Sequence, residues 1–266
     1  SQRIQVVSVL TPNFLHFPMA QKLIETGFHV ICEKPMTTTF EEAKMLEASL
    51  KKSGTIFALT HTYTGYPMVR QMREMIAAGF IGKVHKVDAQ YYQGWINPII
   101  HDEEKRKSTW RLDPEKAGIS CCVGDIGVHA FNLIEFTTQL KIDSILADFN
   151  YLYSDNKMDI DASILVRISE HVKGIIRSSQ IATGEENGIT IAVYGDKGGL
   201  RWEQENPNYL YVLTDDKPLQ VYKAVKGLNY NSGEFPTMQD GVRGMSFIEK
   251  TVESNVNGNV WVKIEE

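Results

Sequence analysis

A lysine at the end of an apolar run is the first residue in this sequence placed to do chemistry. Lys34 lies in Cys32-Glu33-Lys34-Pro35-Met36, which closes the run Gly27-Phe28-His29-Val30-Ile31. The run reads as a short buried strand, and the proline stops it. A buried ammonium without a partner is costly. Lys34 therefore either turns to solvent beside a turn proline or points into the crevice at the carboxyl end of a parallel strand, where ligands bind in open α/β sheets. The second group is Gly124-Asp125-Ile126-Gly127-Val128-His129. Asp125 and His129 are spaced to share one helix face. A carboxylate beside an imidazole fixes its tautomer and raises its basicity, which suits a general base near neutral pH. The structural alternative is an aspartate cap with a histidine packed on the helix. Gly118, Gly124 and Gly127 favour the chemical reading, because each allows a backbone or ligand to come close.

Aromatic and polar residues accompany these groups. Tyr91, Tyr92, Gln93 and Trp95 enter a long polar stretch that contains Trp110 and Arg111. Aromatic faces with amide donors suit a polyol. Strand alternation lets only one of Tyr91 and Tyr92 face a pocket, and Tyr92 is the candidate. An indole can stack on a sugar, and a guanidinium can grip hydroxyls or phosphate. A tryptophan packed under a loop with a solvated arginine is the plainer alternative. His61 and Tyr63 follow an apolar run and are placed to border the same site.

The elements that would position these residues follow from periodicity. Ile4–Leu10 reads as a strand, and Thr11-Pro12-Asn13 as a turn with Asn13 capping a helix over 14–26. A strand over 28–32 follows, then a helix from a Thr39-Phe40-Glu41-Glu42 capping box to Lys52, then a strand over 56–59. Strands alternating with helices imply right-handed crossovers and a parallel sheet. A helix over 68–78 and a strand over 84–93 precede an irregular excursion over 94–118 and a helix over 125–138. Seven strand-like runs between 143 and 223, separated by polar or glycine turns, suggest an antiparallel sheet. A helix over 237–254 and a tail strand over 260–264 close the sequence.

The fold class is thus α/β plus α+β: a partial parallel sheet, then a large, mostly antiparallel open sheet flanked by helices. The domain boundary is expected between 65 and 66, giving units 1–65 and 66–266. The net charge of −5 carries no electrostatic footprint for nucleic acid, and no apolar run is long enough to span a membrane. The three cysteines, Cys32, Cys121 and Cys122, have neither metal nor disulfide spacing, which points to a reducing, cytoplasmic setting.

Taken in order, the motifs resemble the Gfo/Idh/MocA family of nicotinamide-dependent oxidoreductases acting on sugars, cyclitols and related polyols. They are Thr11-Pro12-Asn13 with His16, Glu33-Lys34-Pro35, Gly79 with Gly82-Lys83-Val84, Trp110-Arg111, Gly124-Asp125 with Gly127 and His129, and Tyr194-Gly195 with Gly198-Gly199. The resemblance implies a dehydrogenase using NAD or NADP, with Lys34 hydrogen-bonding the reacting hydroxyl, His129 accepting its proton and Asp125 orienting His129. It places Thr11, Pro12, Asn13, His16, Glu33, Lys34, Pro35, Trp110 and Arg111 at the cofactor. Lys34, Tyr92, Trp95, Arg111, Asp125 and His129 fall at the substrate. A redox-neutral reaction on the same scaffold and a non-catalytic sugar-responsive protein are the competing readings. A homodimer or homotetramer through the large sheet is expected.

Two features depart from the pattern. The Gly-x-Gly-x-x-Gly turn that opens such dinucleotide-binding domains does not occur here, and with it goes the residue choosing between NAD and NADP. These residues alone are therefore expected to grip a dinucleotide weakly and to belong to a longer molecule. Near Tyr230–Glu234 the last sheet strand nearly abuts Phe235-Pro236-Thr237, where a longer stretch is usual, so either residues are missing there or the segment is truly shorter.

Overall fold

The computed structural model describes residues 4–151, 158–225 and 234–265. Most of the expected junction near Tyr230–Glu234 lies outside the described residues. The first three strands, β1 (Val6–Val9), β2 (His29–Cys32) and β3 (Phe57–Leu59), form a parallel sheet in that order. Helix α1 (His16–Glu25) buries His16, Ala20 and Ile24, a stripe at every fourth residue. Helix α2 (Phe40–Ser53) starts where the Thr39 hydroxyl accepts from the Glu42 amide at 3.2 Å and ends at Gly54, whose φ of 66° is left-handed. Two capping expectations change in detail. The Glu42 carboxylate reaches back to the Thr38 amide and hydroxyl, at 3.0 and 2.8 Å. Asn13 does not cap α1; its amide donates to Ala117 O at 2.9 Å, tying the turn after β1 to the later excursion.

Helix α3 (Pro67–Ala77) leads to β4 (Val84–Tyr92). The stretch that follows is not irregular. It forms short helices α4 (Asn97–Ile100), α5 (Glu103–Ser108) and α6 (Pro114–Ala117), with a 3-10 turn at Trp110–Leu112. The Asp102 and Asp113 carboxylates cap α5 and α6. Beneath them Ile96, Ile100, Ala117, Cys121, Met158 and Ile160 make a second small core. Gly118 closes the stretch at φ 95°, where a Cβ would lie 2.9 Å from Thr38 O, so the excursion packs against the chain just past Pro35. Gly127 is also tight, with Ser178 Oγ 3.2 Å from a Cβ position, whereas Gly124 has ordinary clearance and no close approach depends on it.

Helix α7 (Val128–Thr138) is buried at nearly every position, and a helix apolar on all sides must sit between layers. A five-residue π turn, Val123–Gly127, precedes it. The remaining strands are β5 (Ser144–Asn150), β6 (Asp161–Arg167), β7 (Lys173–Ser179), β8 (Gly188–Gly195), β9 (Gly199–Glu203), β10 (Tyr209–Thr214), β11 (Lys217–Lys223) and β12 (Val262–Lys263). They form a nine-stranded sheet ordered β11-β10-β9-β8-β4-β7-β6-β5-β12. β4 enters its centre, parallel to β7 and antiparallel to β8, so the sheet is mixed there and antiparallel elsewhere.

Helix α8 (Met238–Val256) returns across the molecule. Its lead-in residue Thr237 bridges Ala58, and Pro236 O accepts from the Leu59 amide at 2.8 Å. The rings of Phe131 on α7 and Phe247 on α8 stack at 4.4 Å. Arg243 of α8 forks onto the buried Glu135 carboxylate of α7 and also donates to Ile142 O. Fork geometry with a further hydrogen bond to a backbone carbonyl is what makes a buried ion pair tolerable.

Candidate active site

Strand register sets the site. Val9 pairs with Cys32, and Cys32 with Leu59. Two residues past that row, Thr11, Lys34 and His61 leave neighbouring strand ends at one level. His16 staples two of these ends: its Nδ1 lies 2.8 Å from Pro35 O and its Nε2 2.7 Å from Thr11 O. The Lys34–Pro35 peptide is cis. Glu33 is held by its amide donating to Val9 O at 3.0 Å.

The Lys34 ammonium donates to Asp125 Oδ1 at 2.7 Å and to Asp125 O at 2.6 Å. Asp125 Oδ2 accepts from Gln180 Nε2 at 3.0 Å, and the Arg111 guanidinium lies 3.6 Å away. Burial alone would raise the Asp125 carboxyl, but Lys34 and Arg111 hold it below the usual carboxylate range. The π turn that carries Asp125 is clamped by buried Asp159, whose two oxygens each accept at 2.8 Å from the amides of Cys121 and Val123. Burial pushes the Asp159 carboxyl up, and these hydrogen bonds pull part of that back.

His129 is buried. Its Nδ1 lies 3.4 Å from Nδ1 of His61, and the edges of His61 and Tyr63 meet its ring at centroid distances of 5.3 and 4.9 Å. Burial first, then the charge of Lys34, pushes His129 well below its ordinary value; the same effects, partly opposed by Asp240, bring His61 down to about 4. Both rings are therefore neutral near pH 7. The carboxylate expected to hold the His129 imidazole instead holds the Lys34 ammonium.

Lys34, Tyr91, Gln93, Trp95, Arg111, Asp125, Ile126 and His129 line one cavity of about 340 Å³. The β4 pleat turns Tyr91 and Gln93 inward and sends Tyr92 to the opposite face, where it hydrogen-bonds Arg177. Tyr91 therefore replaces Tyr92 as the cavity tyrosine. Its hydroxyl donates to Asn187 Oδ1 at 2.9 Å and lies 2.5 Å from that of Tyr63. Burial, then Tyr63, raises the Tyr91 phenol, so it stays protonated. Trp110 does not line the cavity. It packs on the second core, with the Arg111 guanidinium 4.6 Å above its ring. Thr11, Pro12, Asn13, His16, Glu33 and Pro35 lie along the strand ends beside the cavity rather than in its wall.

Gln180 and Asp159 were not among the sequence candidates. Gln180 had a signal: it continues the buried Ile176, Ser178 alternation past the end of β7, a polar residue on an apolar face. Asp159 had none, because its partners lie on a distant turn. The cysteines are free and buried, and burial raises the Cys32 thiol to about 12 and the other two well above their ordinary value. None is a nucleophile. Among the described residues there is no cluster of three or more metal-ligating side chains, and no helix is long and apolar enough to cross a membrane.

Both the sequence around this crevice and the fold that forms it are similar to those of known proteins. Residues 1–61 match the NAD-binding Rossmann fold of an oxidoreductase family, and residues 69–201 match the GFO/IDH/MocA C-terminal domain. The oxidoreductase YfiI of Bacillus subtilis (strain 168) is 28% identical, covering 98% of this chain and 78% of its own length. Levoglucosan dehydrogenase of Pseudarthrobacter phenanthrenivorans is 26% identical over 79% of this chain; the match spans 58% of that enzyme's length. The crystal structure of an inositol dehydrogenase homolog complexed with NAD+ from Azotobacter vinelandii superposes with a TM-score of 0.90 at 27% identity, covering 97% of this chain and 78% of that one. Two domain matches in sequence order, and a fold shared along nearly the whole chain, lead to one assignment: this chain belongs to the Gfo/Idh/MocA family of oxidoreductases.

Proposed function

We propose that this protein exchanges a hydride between a nicotinamide cofactor and a secondary hydroxyl of a sugar, cyclitol or related polyol. One observation carries the reading: Lys34, Asp125 and His129 meet in one cavity at the carboxyl ends of the parallel strands. The strand-end residues fit a nicotinamide. Thr11 and Lys34 leave their strands at one level, and exposed Leu10 and Phe14 offer apolar surface beside them for a flat ring. When bound there, the cofactor supplies a hydride acceptor or donor.

The chain's own residues do the rest. An ammonium has three hydrogens. Asp125 takes two of those on Lys34, which leaves one for the substrate oxygen. That hydrogen bond strengthens as negative charge develops on the oxygen. Neutral His129 accepts the hydroxyl proton. Asp125, kept ionised by Lys34 and Arg111, holds the ammonium in place. Gln93 and Arg111 offer polar contacts to further hydroxyls, and Trp95 and Tyr91 offer ring faces to the carbon skeleton.

The levoglucosan dehydrogenase and inositol dehydrogenase relatives support a polyol substrate. A panel of sugars and cyclitols, each with NAD and NADP and read at the nicotinamide absorbance, tests the reading in the full-length protein. Substrate consumption with no absorbance change would replace it with a redox-neutral reaction. A second copy of the chain on the outer face of the large sheet is the proposed partner, because Leu146, Leu165 and Ile175 lie in one row there and Leu165 is 45% exposed. The free cysteines favour a reducing, cytoplasmic setting.

A further inference from the structure

The His61–His129 contact has no part in the chemistry described so far. We propose that His61 is a positioning residue that accepts the Nδ1 proton of His129, fixing the tautomer whose bare Nε2 faces the cleft. The inference rests on the proton-accepting role given to His129 above.

Only one hydrogen can lie between the two Nδ1 atoms, which are 3.4 Å apart. Each neutral imidazole carries one N–H, so the contact couples the two tautomers. If His61 donates, His129 has its proton on Nε2 and has no lone pair to offer a hydroxyl. If His129 donates, its Nε2 is free to take the proton, and His61 keeps its own on Nε2. When His129 accepts the substrate proton at Nε2 it becomes an imidazolium, and its Nδ1–H still points at the His61 lone pair.

Charges on the two sides favour the second arrangement. The Lys34 ammonium shares the cavity with His129, and the Asp240 carboxylate acts on His61 from the first turn of α8. With His129 donating, the lone pair of its other nitrogen is left to the cavity that holds the ammonium, which favours that tautomer. The backbone that carries the His61 ring is also held firmly. Its amide donates to Leu59 O at 2.9 Å, and its carbonyl accepts from the Thr64 hydroxyl at 2.8 Å. Asp125 is engaged with Lys34, Gln180 and Arg111, which leaves the tautomer of His129 to His61. In a pair with low proton affinity on both sides, His61 steers the tautomer without taking the charge.

Long-range proton–nitrogen spectra of the ¹⁵N-histidine-labelled full-length protein near neutral pH test this directly, with signals assigned by their loss in H61N and H129N. A pyrrole-type Nδ1 and a pyridine-type Nε2 are expected at His129, with the opposite pattern at His61. The reverse pattern at His129 overturns the proposal. Kinetics add a second readout. His61→Leu removes the acceptor and should lower kcat by about ten- to a hundredfold with KM changed by less than about twofold. His61→Asn, whose amide oxygen can still accept, should recover most of that loss. Equal kcat in the two variants also overturns the proposal. Should no polyol be oxidised by the unaltered protein, the dehydrogenase reading falls, and the tautomer spectra still decide the part played by His61.

Discussion

Lys34 carries three obligations at once: a backbone carbonyl, a carboxylate, and one hydrogen left for a ligand. Replacing it by Met keeps the stem and removes all three. Lys34→Met and His129→Asn should each lower turnover by about two to four orders of magnitude, the usual range for acid–base groups. Near-normal activity in either purified, folded variant would remove that residue from the mechanism. The pH profile follows from His129. Its folded value lies well below the ordinary 6.5, so the base stays unprotonated as pH falls from neutral through that point. The acid limb of kcat/KM, which reports the free enzyme, should therefore lie below pH 6.5; a limb at or above it would contradict the base assignment. Lys34, Asp125 and His129 were legible as residue types in telling places. The partner of His129 was not, because helical spacing pointed to Asp125 while His61 arrives from another strand end. The choice between Tyr91 and Tyr92 needed the parity of β4, and no single strand states which face is inward.

Among the elements, the π turn at Val123–Gly127 matters most, because it aims Asp125 while α7 carries His129. Such turns often mark functional sites. Asp159 holds this one through two backbone amides. Asp159→Asn turns one acceptor into a donor facing an N–H and should cost about 1–3 kcal/mol in urea unfolding. Activity should fall as well, since Asp125 loses its fixed position. A variant with unchanged midpoint and activity would show that the turn holds itself. Strands and helices with strong periodicity were readable, including the stripe of α1 and the alternation of β5 to β10. The excursion over 94–118 looked irregular because its helices are each a single turn or two, too short for a period to emerge. The placement of β4 between β7 and β8 was illegible for a different reason: pairing depends on partners far along the chain.

At the scale of the whole molecule, the large sheet has one face under α7 and α8 and another facing outward. Leu165 on that outer face should lie at a contact between copies. Leu165→Glu is expected to shift sedimentation at micromolar concentration toward a smaller species, with activity per folded chain measured alongside. A clean monomer for the unaltered full-length protein would refute the association.

The lead-in to α8 completes the end of the first sheet, through Thr237 against Ala58 and Pro236 against Leu59. Those contacts join residues far apart in the sequence, directly beneath His61. During synthesis, then, the strand that leads to His61 waits unclosed until α8 has left the ribosome. The cleft is completed only once α8 is in place, however early its lysine is made. Ribosome-held chains stopped before residue 234 should accordingly be cut by protease near β3, and chains that expose all of α8 should not.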